Sequence, residues 1–391
     1  MGVVEFNKVD IVFGGDRARA LEMIDQAAAR DDIISQTQSV PGAIGIDLSV
    51  ERGEICVLMG LSGSGKSTVL RAINRLNPVA RGSVMVEHRG STVDVTTCND
   101  TTLRDIRSHT VAMVFQQFAL LPWRTVRENV GFGLEIRGLS SAERNRIVDE
   151  KLALVGLGDW SEKYSHELSG GMQQRVGLAR AFATDADILL MDEPFSALDP
   201  LIRNKLQDDL LDLQKELKKT IVFVSHDLDE ALKIGNRIAI LEGGRIVQNG
   251  TAEDILLRPA DDYVAEFVKH MNPLNVLRGT SVMTPAAKLR RSDDEVLIDS
   301  GQIRVRVDSQ ERPVGVTLDG HHGSLTIADG DSGTLPEKNY DIIVAPVDLT
   351  LRAAIALKQQ SDYPILLVDQ LGRLAGLCGD EEIYRSLLSR Q

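Results

Sequence analysis

The stretch from Gly60 to Ser67 reads GLSGSGKS and fits G-x-x-x-x-G-K-S/T, a spacing typical of loops that hold phosphate groups. Its glycines allow a tight turn whose backbone N–H groups face phosphate oxygens. Lys66 is expected to reach the β- and γ-phosphates, and the hydroxyl of Ser67 is expected to ligate Mg²⁺. The spacing therefore predicts a site for a nucleoside triphosphate with Mg²⁺. A glycine-rich turn that binds nothing is the alternative.

Two carboxylates follow the apolar run from Ile188 to Met191. Asp192 can hold Mg²⁺ directly or through water. Glu193 can polarise the water molecule that attacks the γ-phosphate. An apolar run followed by two carboxylates also occurs where a strand simply ends in solvent. Together with a phosphate loop in the same chain, however, it predicts hydrolysis of the nucleoside triphosphate.

Further polar residues follow other apolar runs or precede a helix. His226 could hydrogen-bond the γ-phosphate and the attacking water, although a single histidine is more often structural, and Gln116 alone is a weaker signal still. Ser169, Gly170 and Gly171 precede a helix and form a second predicted anion site, because helix N-termini expose N–H groups. Since the chain has one phosphate loop, this second site is expected to serve the nucleotide of another copy. A plain helix cap is the alternative.

The elements around these residues must position them. Strands alternate with helices, and each strand is a continuous apolar run, which predicts a mainly parallel sheet covered on both faces. Lys66, Gln116, Asp192 and His226 each follow the end of a strand, at the edge where such sheets bind ligands. Residues 16–38 have apolar side chains at helical spacing and predict a short amphipathic helix.

Composition limits the class of protein. The chain has 391 residues, so two or three domains are expected, and the sequence becomes β-rich after about residue 272. The net charge of −13 argues against nucleic acid as the main partner, because binding it needs a basic face. Three cysteines far apart suit a reducing cytosol. The sequence has no secretory signal and no apolar run of about 18 residues, so any membrane role is expected to come through another subunit.

Six motifs stand in order over about residues 1–270. They are GLSGSGKS, Gln116, LSGGM at 168–172, ILLMDEP at 188–194, SALD at 196–199 and His226. With them, the chain resembles the ATP-binding subunit of an ABC transporter. The resemblance implies an α/β P-loop ABC cassette over 1–272, with a mainly parallel sheet, a helical subdomain at about 117–183 and an antiparallel β-subdomain. It also implies ATP hydrolysis coupled to transmembrane transport.

By that resemblance, two copies form a homodimer in which residues 169–171 of one copy close over ATP on the loop of the other. Asp199 would lie at the seam, and Phe13 takes the position of an aromatic residue that stacks on adenine. The implied ATP-binding residues are Phe13, Gly60, Leu61, Ser62, Gly63, Ser64, Gly65, Lys66, Ser67, Thr68, Gln116, Ser169, Gly170, Gly171 and Asp199. The implied catalytic residues are Lys66, Glu193 and His226, and the implied Mg²⁺ ligands are Ser67, Gln116 and Asp192. Met172, where many members have glutamine, is expected to have little effect.

Several further features resemble those of the ATP-binding subunits of quaternary-amine importers, whose solutes are glycine betaine, proline betaine and choline. They are the insertion at 16–38, the runs FQQFALLPWRTVRENVGFG and SALDPLIR, and a C-terminal module. The first of these runs, together with MNPLNVLR, looks most like the choline-importing branch. The resemblance implies permease subunits, an indirectly coupled periplasmic or extracellular solute-binding protein, and a place on the cytoplasmic face of the bacterial plasma membrane. Phe118, Leu120, Leu121 and Trp123 would contact the permease, with ordinary core packing as the alternative.

The C-terminal residues 273–391 are expected to form a smaller CBS-like α+β domain. Residues 346–391, which include SDYPILLVDQLGRLAGL, resemble one half of a CBS pair, and residues near 279–345 are expected to hold a degenerate first half. Gly379 and Glu382 stand where nucleotide-binding members have a serine or threonine and an aspartate, which speaks against nucleotide binding by this half. A regulatory or dimerising role is the resulting hypothesis.

Other classes share parts of these patterns. An ABC ATPase that acts on DNA or ribosomes would need a basic surface or tandem cassettes. A phosphotransfer enzyme outside this family would need an acceptor site and would not need LSGGM. Within transport, an ABC ATPase for a different solute, or one that serves an exporter, is the remaining alternative.

Overall fold

The apolar runs form the strands of two units in the computed structural model, which describes residues 2–269, 272–292, 294–328, 335 and 340–388. The first unit comprises Met1–Ile255 and Pro259–Val264. The second unit comprises Leu256–Arg258 and Ala265–Gln391. None of the helices in the described ranges has the length and apolarity needed to cross a bilayer.

In the part of the chain that the structure describes, the first unit contains ten strands and nine α-helices. The strands are β1 (Val4–Gly14), β2 (Ser39–Val50), β3 (Ile55–Met59), β4 (Arg81–His88), β5 (Ser91–Asp94), β6 (Val111–Val114), β7 (Ile188–Asp192), β8 (Thr220–Val224), β9 (Arg237–Glu242) and β10 (Arg245–Gly250). The helices are α1 (Arg17–Asp25), α2 (Arg30–Thr37), α3 (Lys66–Ala72), α4 (Asp100–Asp105), α5 (Val126–Ile136), α6 (Ser141–Leu154), α7 (Gly170–Ala183), α8 (Pro200–Leu217) and α9 (Leu228–Ile234). Two further helices, α10 (Ala252–Leu257) and α11 (Asp262–Val268), follow at the junction with the second unit.

A six-stranded sheet forms the centre of the first unit, in the order β10-β9-β3-β8-β7-β6. All its pairs are parallel except the edge pair of β10 with β9. Every residue of β3, β7 and β8 is buried, as expected of parallel strands covered on both faces. The prediction of a mainly parallel sheet is therefore confirmed.

A second, antiparallel sheet has the order β2-β1-β4-β5. One buried cluster joins residues of both sheets and of α3, among them Ile11, Leu58 and Val69. The antiparallel sheet thus shares its core with the helix that follows the phosphate loop. Helices α5, α6 and α7 form the helical subdomain between β6 and β7.

The insertion at 16–38 contains two short helices, α1 and α2, where the sequence predicts one. Ala27, between them, has a left-handed backbone with φ of 55°, which ends the first helix. The two helices then cover one face of the antiparallel sheet. Their small core consists of Val12, Ala20, Met23, Ile24, Ile33 and Ile44.

Among its described residues, the second unit contains two five-stranded sheets and three α-helices. Its strands are β11 (Thr284–Pro285), β12 (Arg290–Ser292), β13 (Glu295–Ile298), β14 (Ile303–Val307), β15 (Pro313–Leu318), β16 (His321–Gly323), β17 (Leu325–Ile327), β18 (Ile342–Pro346), β19 (Ile365–Val368) and β20 (Leu374–Cys378). Its helices are α12 (Gly279–Val282), α13 (Leu351–Lys358) and α14 (Asp380–Leu388). One sheet has the order β11-β20-β19-β18-β17, and the other has the order β12-β13-β14-β15-β16.

In the C-terminal half, strand β18, helix α13, strands β19 and β20 and helix α14 follow one another and form a β-α-β-β-α unit. The segment expected to hold a degenerate first half differs from that expectation. Its strands β12 to β16 form an antiparallel sheet. Side chains such as those of Ile303–Val307 alternate between buried and exposed, as expected of a sheet with one buried face. Residues 293, 329–334, 336–339 and 389–391 of these predicted segments lie outside the described residues.

Candidate active site

The phosphate loop connects the buried end of β3 to the first turn of α3. Gly60, Gly63 and Gly65 have φ values of 142°, 80° and 100°, a region of backbone conformation that side chains rarely adopt. A Cβ atom on Gly65 would lie 2.2 Å from the carbonyl oxygen of Gly42, so the loop can form only with glycine at this position. The glycines predicted to shape the loop therefore do so.

Lys66 and Ser64 place polar groups inside this loop. The Nζ atom of Lys66 donates hydrogen bonds of 2.9 Å to the carbonyl oxygens of Gly60 and Leu61. Burial lowers the pKa of the Lys66 ammonium, while the Glu193 and Asp192 carboxylates act in the opposite direction. The hydroxyl oxygen of Ser64 is buried without a hydrogen-bond partner. A buried hydroxyl without a partner, next to a partly buried ammonium group, fits a phosphate chain, which supplies many acceptor oxygens.

Asp192, the last residue of β7, is fully buried and joins two residues of α3. The Ser67 hydroxyl donates a 2.7 Å hydrogen bond to Oδ1 of Asp192. Arg71 donates a 2.8 Å hydrogen bond to Oδ2 of the same carboxylate. Ser67 and Arg71 are four residues apart and so lie on one face of the helix. The hydroxyl and carboxylate oxygens are hard ligands of the type that Mg²⁺ prefers, so this donor set fits the ion.

Glu193 lies where three neighbouring strands end. Its Oε2 atom accepts a 3.0 Å hydrogen bond from Nε2 of Gln116, which follows β6. The same oxygen lies 3.3 Å from Nδ1 of His226, which follows β8. The sheet thus brings together three residues that the sequence predicts to share a site. Gln116 is predicted to ligate Mg²⁺, but its amide contacts Glu193 rather than Ser67 or Asp192.

Two predicted residues cap helices beside this cluster. The Ser169 hydroxyl accepts a hydrogen bond from the backbone N–H of Met172 at the start of α7. Asp199 accepts one from Ile202 at the start of α8. Among the described residues, neither side chain hydrogen-bonds to residues 60–68 of its own chain.

Phe13, at the end of β1, lies beside the first turn of α3. A Cβ atom placed on Gly42 would lie 2.7 Å from the Phe13 ring and 3.0 Å from the Thr68 methyl group. The ring and Thr68 therefore converge on one point next to the phosphate loop. This placement is compatible with the predicted contact to adenine.

The segment after Gln116 is held by an arginine that the sequence argument did not single out. Phe118 and Ala119 have left-handed backbones, with φ of 52° and 47°. Arg180 of α7 donates hydrogen bonds of 2.9 and 2.6 Å to their carbonyl oxygens. Farther along, the Trp123 side chain is exposed.

Two more residues at the site were missed by the sequence argument, Arg71 and Gln174. Arg71 could have been found from its position one turn after Ser67. The amide of Gln174 contacts the backbone of Glu193 and of Ala197. No signal in the sequence identifies this contact, because it depends on how α7 packs against the loop after β7.

Comparisons with known proteins agree with this geometry. The family model described as ABC transporter matches residues 44–196. The glycine betaine transport ATP-binding protein OpuAA of Bacillus subtilis is 40% identical over 380 residues, which are 96% of this chain and 90% of the relative. The glycine betaine/proline betaine transport system ATP-binding protein ProV of Salmonella typhimurium is 38% identical over 391 residues, with 96% and 95% of the two chains covered. The dimeric structure of MJ0796, a bacterial ABC transporter cassette, aligns with a TM-score of 0.55 and 30% identity over 64% of this chain and 98% of that chain.

Proposed function

Because this chain belongs to the ABC transporter family, as an ATP-binding subunit of the glycine betaine type, we propose that it energises the import of a quaternary ammonium compound through a separate membrane permease. Its hydrolysis of ATP is coupled to transport. Choline is the solute we favour, followed by glycine betaine and proline betaine. The observation that carries the proposal is the cluster of Gln116, Glu193 and His226 beside the phosphate loop, in a chain that aligns with OpuAA over 96% of its length.

The solute class is supported by the names of the relatives, which transport glycine betaine and proline betaine. The preference for choline rests on the runs FQQFALLPWRTVRENVGFG and MNPLNVLR. We place the subunit on the cytoplasmic face of the bacterial plasma membrane, bound to the permease. A periplasmic or extracellular solute-binding protein would deliver the solute to the permease without touching this chain.

In the mechanism we propose, two copies of the chain enclose two ATP molecules. The phosphate loop and Lys66 of one copy bind the phosphates, and residues 169–171 of the other copy close over them through exposed backbone N–H groups. Asp199 would lie at the seam of this dimer, and Phe13 would stack on adenine. Closing of the dimer pulls on the permease, and hydrolysis reopens it.

Hydrolysis in this proposal is carried out by the chain's own groups. Glu193 orients the water that attacks the γ-phosphate and accepts its proton. His226 and Lys66 stabilise the charge that develops on the γ-phosphate oxygens. Ser67 and Asp192, with Gln116, would hold Mg²⁺, which when bound neutralises charge on the β- and γ-phosphates.

We propose that residues 273–391 form a CBS-like regulatory or dimerising domain. Strand β11, within the VMTP motif at 282–285, pairs with β20 of the β-α-β-β-α unit. The Glu382 carboxylate accepts hydrogen bonds from the Thr284 hydroxyl (2.6 Å) and the Gly379 N–H (2.9 Å), so it is already bound within its own unit. If transport by a chain without residues 275–391 responded to osmotic strength in the same way as transport by the full chain, the sensing role would be excluded.

Solute uptake tests the proposed function directly. In cells that contain the chain with its own permease, we expect uptake of labelled choline, and we expect the matched Glu193→Gln chain to abolish it. Unlabelled choline should compete better than unlabelled glycine betaine. Uptake of glycine betaine without choline would contradict the solute preference. Uptake that is unaffected by Glu193→Gln would contradict the coupling.

A further inference from the structure

Gln174 is almost completely buried in α7, with 1% of its surface exposed, and both ends of its side-chain amide are paired. Its Nε2 atom donates a 3.1 Å hydrogen bond to the carbonyl oxygen of Glu193. Its Oε1 atom accepts a 3.1 Å hydrogen bond from the backbone N–H of Ala197. One side chain therefore connects both ends of the loop that follows β7.

This loop holds Glu193 in a backbone conformation that it would not adopt alone. The φ of Glu193 is 47°, in the left-handed region that is unfavourable for a residue with a Cβ atom. Its N–H donates to Val224 of β8 (3.1 Å), and its carbonyl oxygen also accepts from the Ser196 hydroxyl (3.0 Å). Such a conformation persists only where the surroundings fix it, and here Gln174 supplies the contact from outside the loop and its neighbouring strand.

The same loop packs against the first turn of α7. A Cβ atom on Gly171 would lie 3.4 Å from the Ala197 carbonyl oxygen and 3.4 Å from Cδ2 of Leu198, which is van der Waals contact. Helix α7, which Ser169 caps, is thus joined to the loop of Glu193 by close packing and by two hydrogen bonds.

We propose that Gln174 is a positioning residue for Glu193, an inference that rests on the proposed role of Glu193 in hydrolysis. By fixing the Glu193 carbonyl group, Gln174 keeps the Glu193 carboxylate beside Gln116 and His226. It also makes the orientation of that carboxylate depend on α7, the helix expected to contact the nucleotide of the second copy. Loss of the amide leaves a buried C=O and a buried N–H without their partner, which favours a different loop conformation.

Gln174→Met tests this inference, because methionine has a similar size and makes no such hydrogen bonds. We expect kcat for ATP hydrolysis to fall on the order of ten- to a hundredfold, the range for a misplaced catalytic group. KM and the affinity for a fluorescent ATP analogue should stay close to wild type, and the melting temperature should fall by only a few degrees, because two buried backbone groups lose their partner. The matched control is Gln173→Met on the same helix, whose amide donates only to the Leu168 carbonyl oxygen, and it should keep its kcat.

Gln174→Glu provides a readout that a purely structural role would not change. A protonated carboxyl group can donate to Glu193 and accept from Ala197, whereas the ionised form can only accept. The kcat of Gln174→Glu relative to wild type should therefore fall as the pH rises from about 5.5 to 8.5. Division by the wild-type kcat at each pH removes the pH dependence that the two proteins share.

Glu193→Gln is measured in parallel so that the two proposals fail separately. An inactive Glu193→Gln together with a fully active Gln174→Met would overturn this inference and leave the role of Glu193 intact. A pH-independent ratio for Gln174→Glu, or a loss of kcat that is matched by lower ATP affinity and a fall in the melting temperature of more than a few degrees, would also overturn it. An active Glu193→Gln would instead refute the proposed base.

Discussion

The hydroxyl of Ser67 lies 2.7 Å from Oδ1 of Asp192, although the two residues are 125 positions apart in the sequence. Ser67 is in the first turn of α3, which follows the phosphate loop, and Asp192 ends the buried strand β7. The two proposed Mg²⁺ ligands are therefore aligned by the sheet and the helix themselves. Arg71, which pairs with the other carboxylate oxygen, fixes the orientation of that carboxylate.

Arg71→Met should raise the Mg²⁺ concentration needed for half-maximal ATP hydrolysis by about tenfold, as is typical when a group that orients a metal ligand is lost. The rate at saturating Mg²⁺ should change much less. Titration of the ATPase rate with MgCl₂ measures both quantities. Arg75→Met is the control, because the Arg75 side chain donates to Cys98 and Asp100, away from Asp192. Identical Mg²⁺ curves for Arg71→Met and wild type would contradict the role given to Arg71.

Glu193→Gln should bind ATP with nearly wild-type affinity and hydrolyse it at least about a hundredfold more slowly, because the amide cannot accept the proton of the attacking water. Single-turnover hydrolysis and equilibrium binding of a fluorescent ATP analogue separate the two effects. Near-normal hydrolysis would refute the assignment of Glu193 as the base.

Ser169→Arg should leave ATP binding to the single chain unchanged and prevent the ATP-dependent dimer. The longer cationic side chain would replace a helix cap where the nucleotide of the other copy is expected. Sedimentation in the Glu193→Gln background, with and without ATP, measures dimer formation. Ser141→Arg adds the same charge at an exposed position of α6 and should still form the dimer. An ATP-dependent dimer of Ser169→Arg would show that residues 169–171 do not close over the nucleotide.

Glu230 should make stability depend on pH. Burial raises the pKa of its carboxyl group above the ordinary 4.5, although hydrogen bonds from Ser225 and Gln207 act against this shift. The folded state then binds the proton more tightly than the unfolded state, so the free energy of unfolding falls as the pH rises from about 4.5 through the raised pKa. Glu230→Gln removes this contribution.

Melting temperatures of both proteins across this pH range test the prediction for Glu230. The difference between Glu230→Gln and wild type should move in favour of the variant as the pH rises. A difference that stays constant with pH would show that the carboxyl group titrates alike in the folded and unfolded states.

The three cysteines should differ in their reaction with thiol reagents. Burial raises the pKa of the Cys56 and Cys378 thiols to about 12, so almost none of either is thiolate at neutral pH. Cys98 is half-buried after β5. Mass spectrometry should find one label on the native protein, lost in Cys98→Ser, and three after denaturation. Two labels on the native wild type would contradict this order.

The sequence predicts the parts of the fold that depend on local patterns. Buried apolar runs followed by Lys66, Gln116, Asp192 and His226 are recognisable one at a time, and parallel pairing then brings their ends to one edge. Contacts that depend on how one helix face packs against a distant loop, such as that of Gln174 with Glu193, are not encoded at any fixed spacing. The break at Ala27 was missed for a related reason, since alanine favours a helix and no local pattern predicts its left-handed backbone.

Near the end of β1, two neighbouring side chains pack on opposite faces of the strand. Val12 packs into the small core under α1 and α2, while Phe13, the next residue, packs toward the phosphate loop. The two helices of the insertion therefore pack against the face of β1 that is opposite to the Phe13 ring. The stacking on adenine proposed for Phe13 would then depend on residues 16–38 as well as on the ring itself. Substitutions that loosen the packing of α1 and α2 on β1 would weaken ATP binding without removing any proposed contact to ATP.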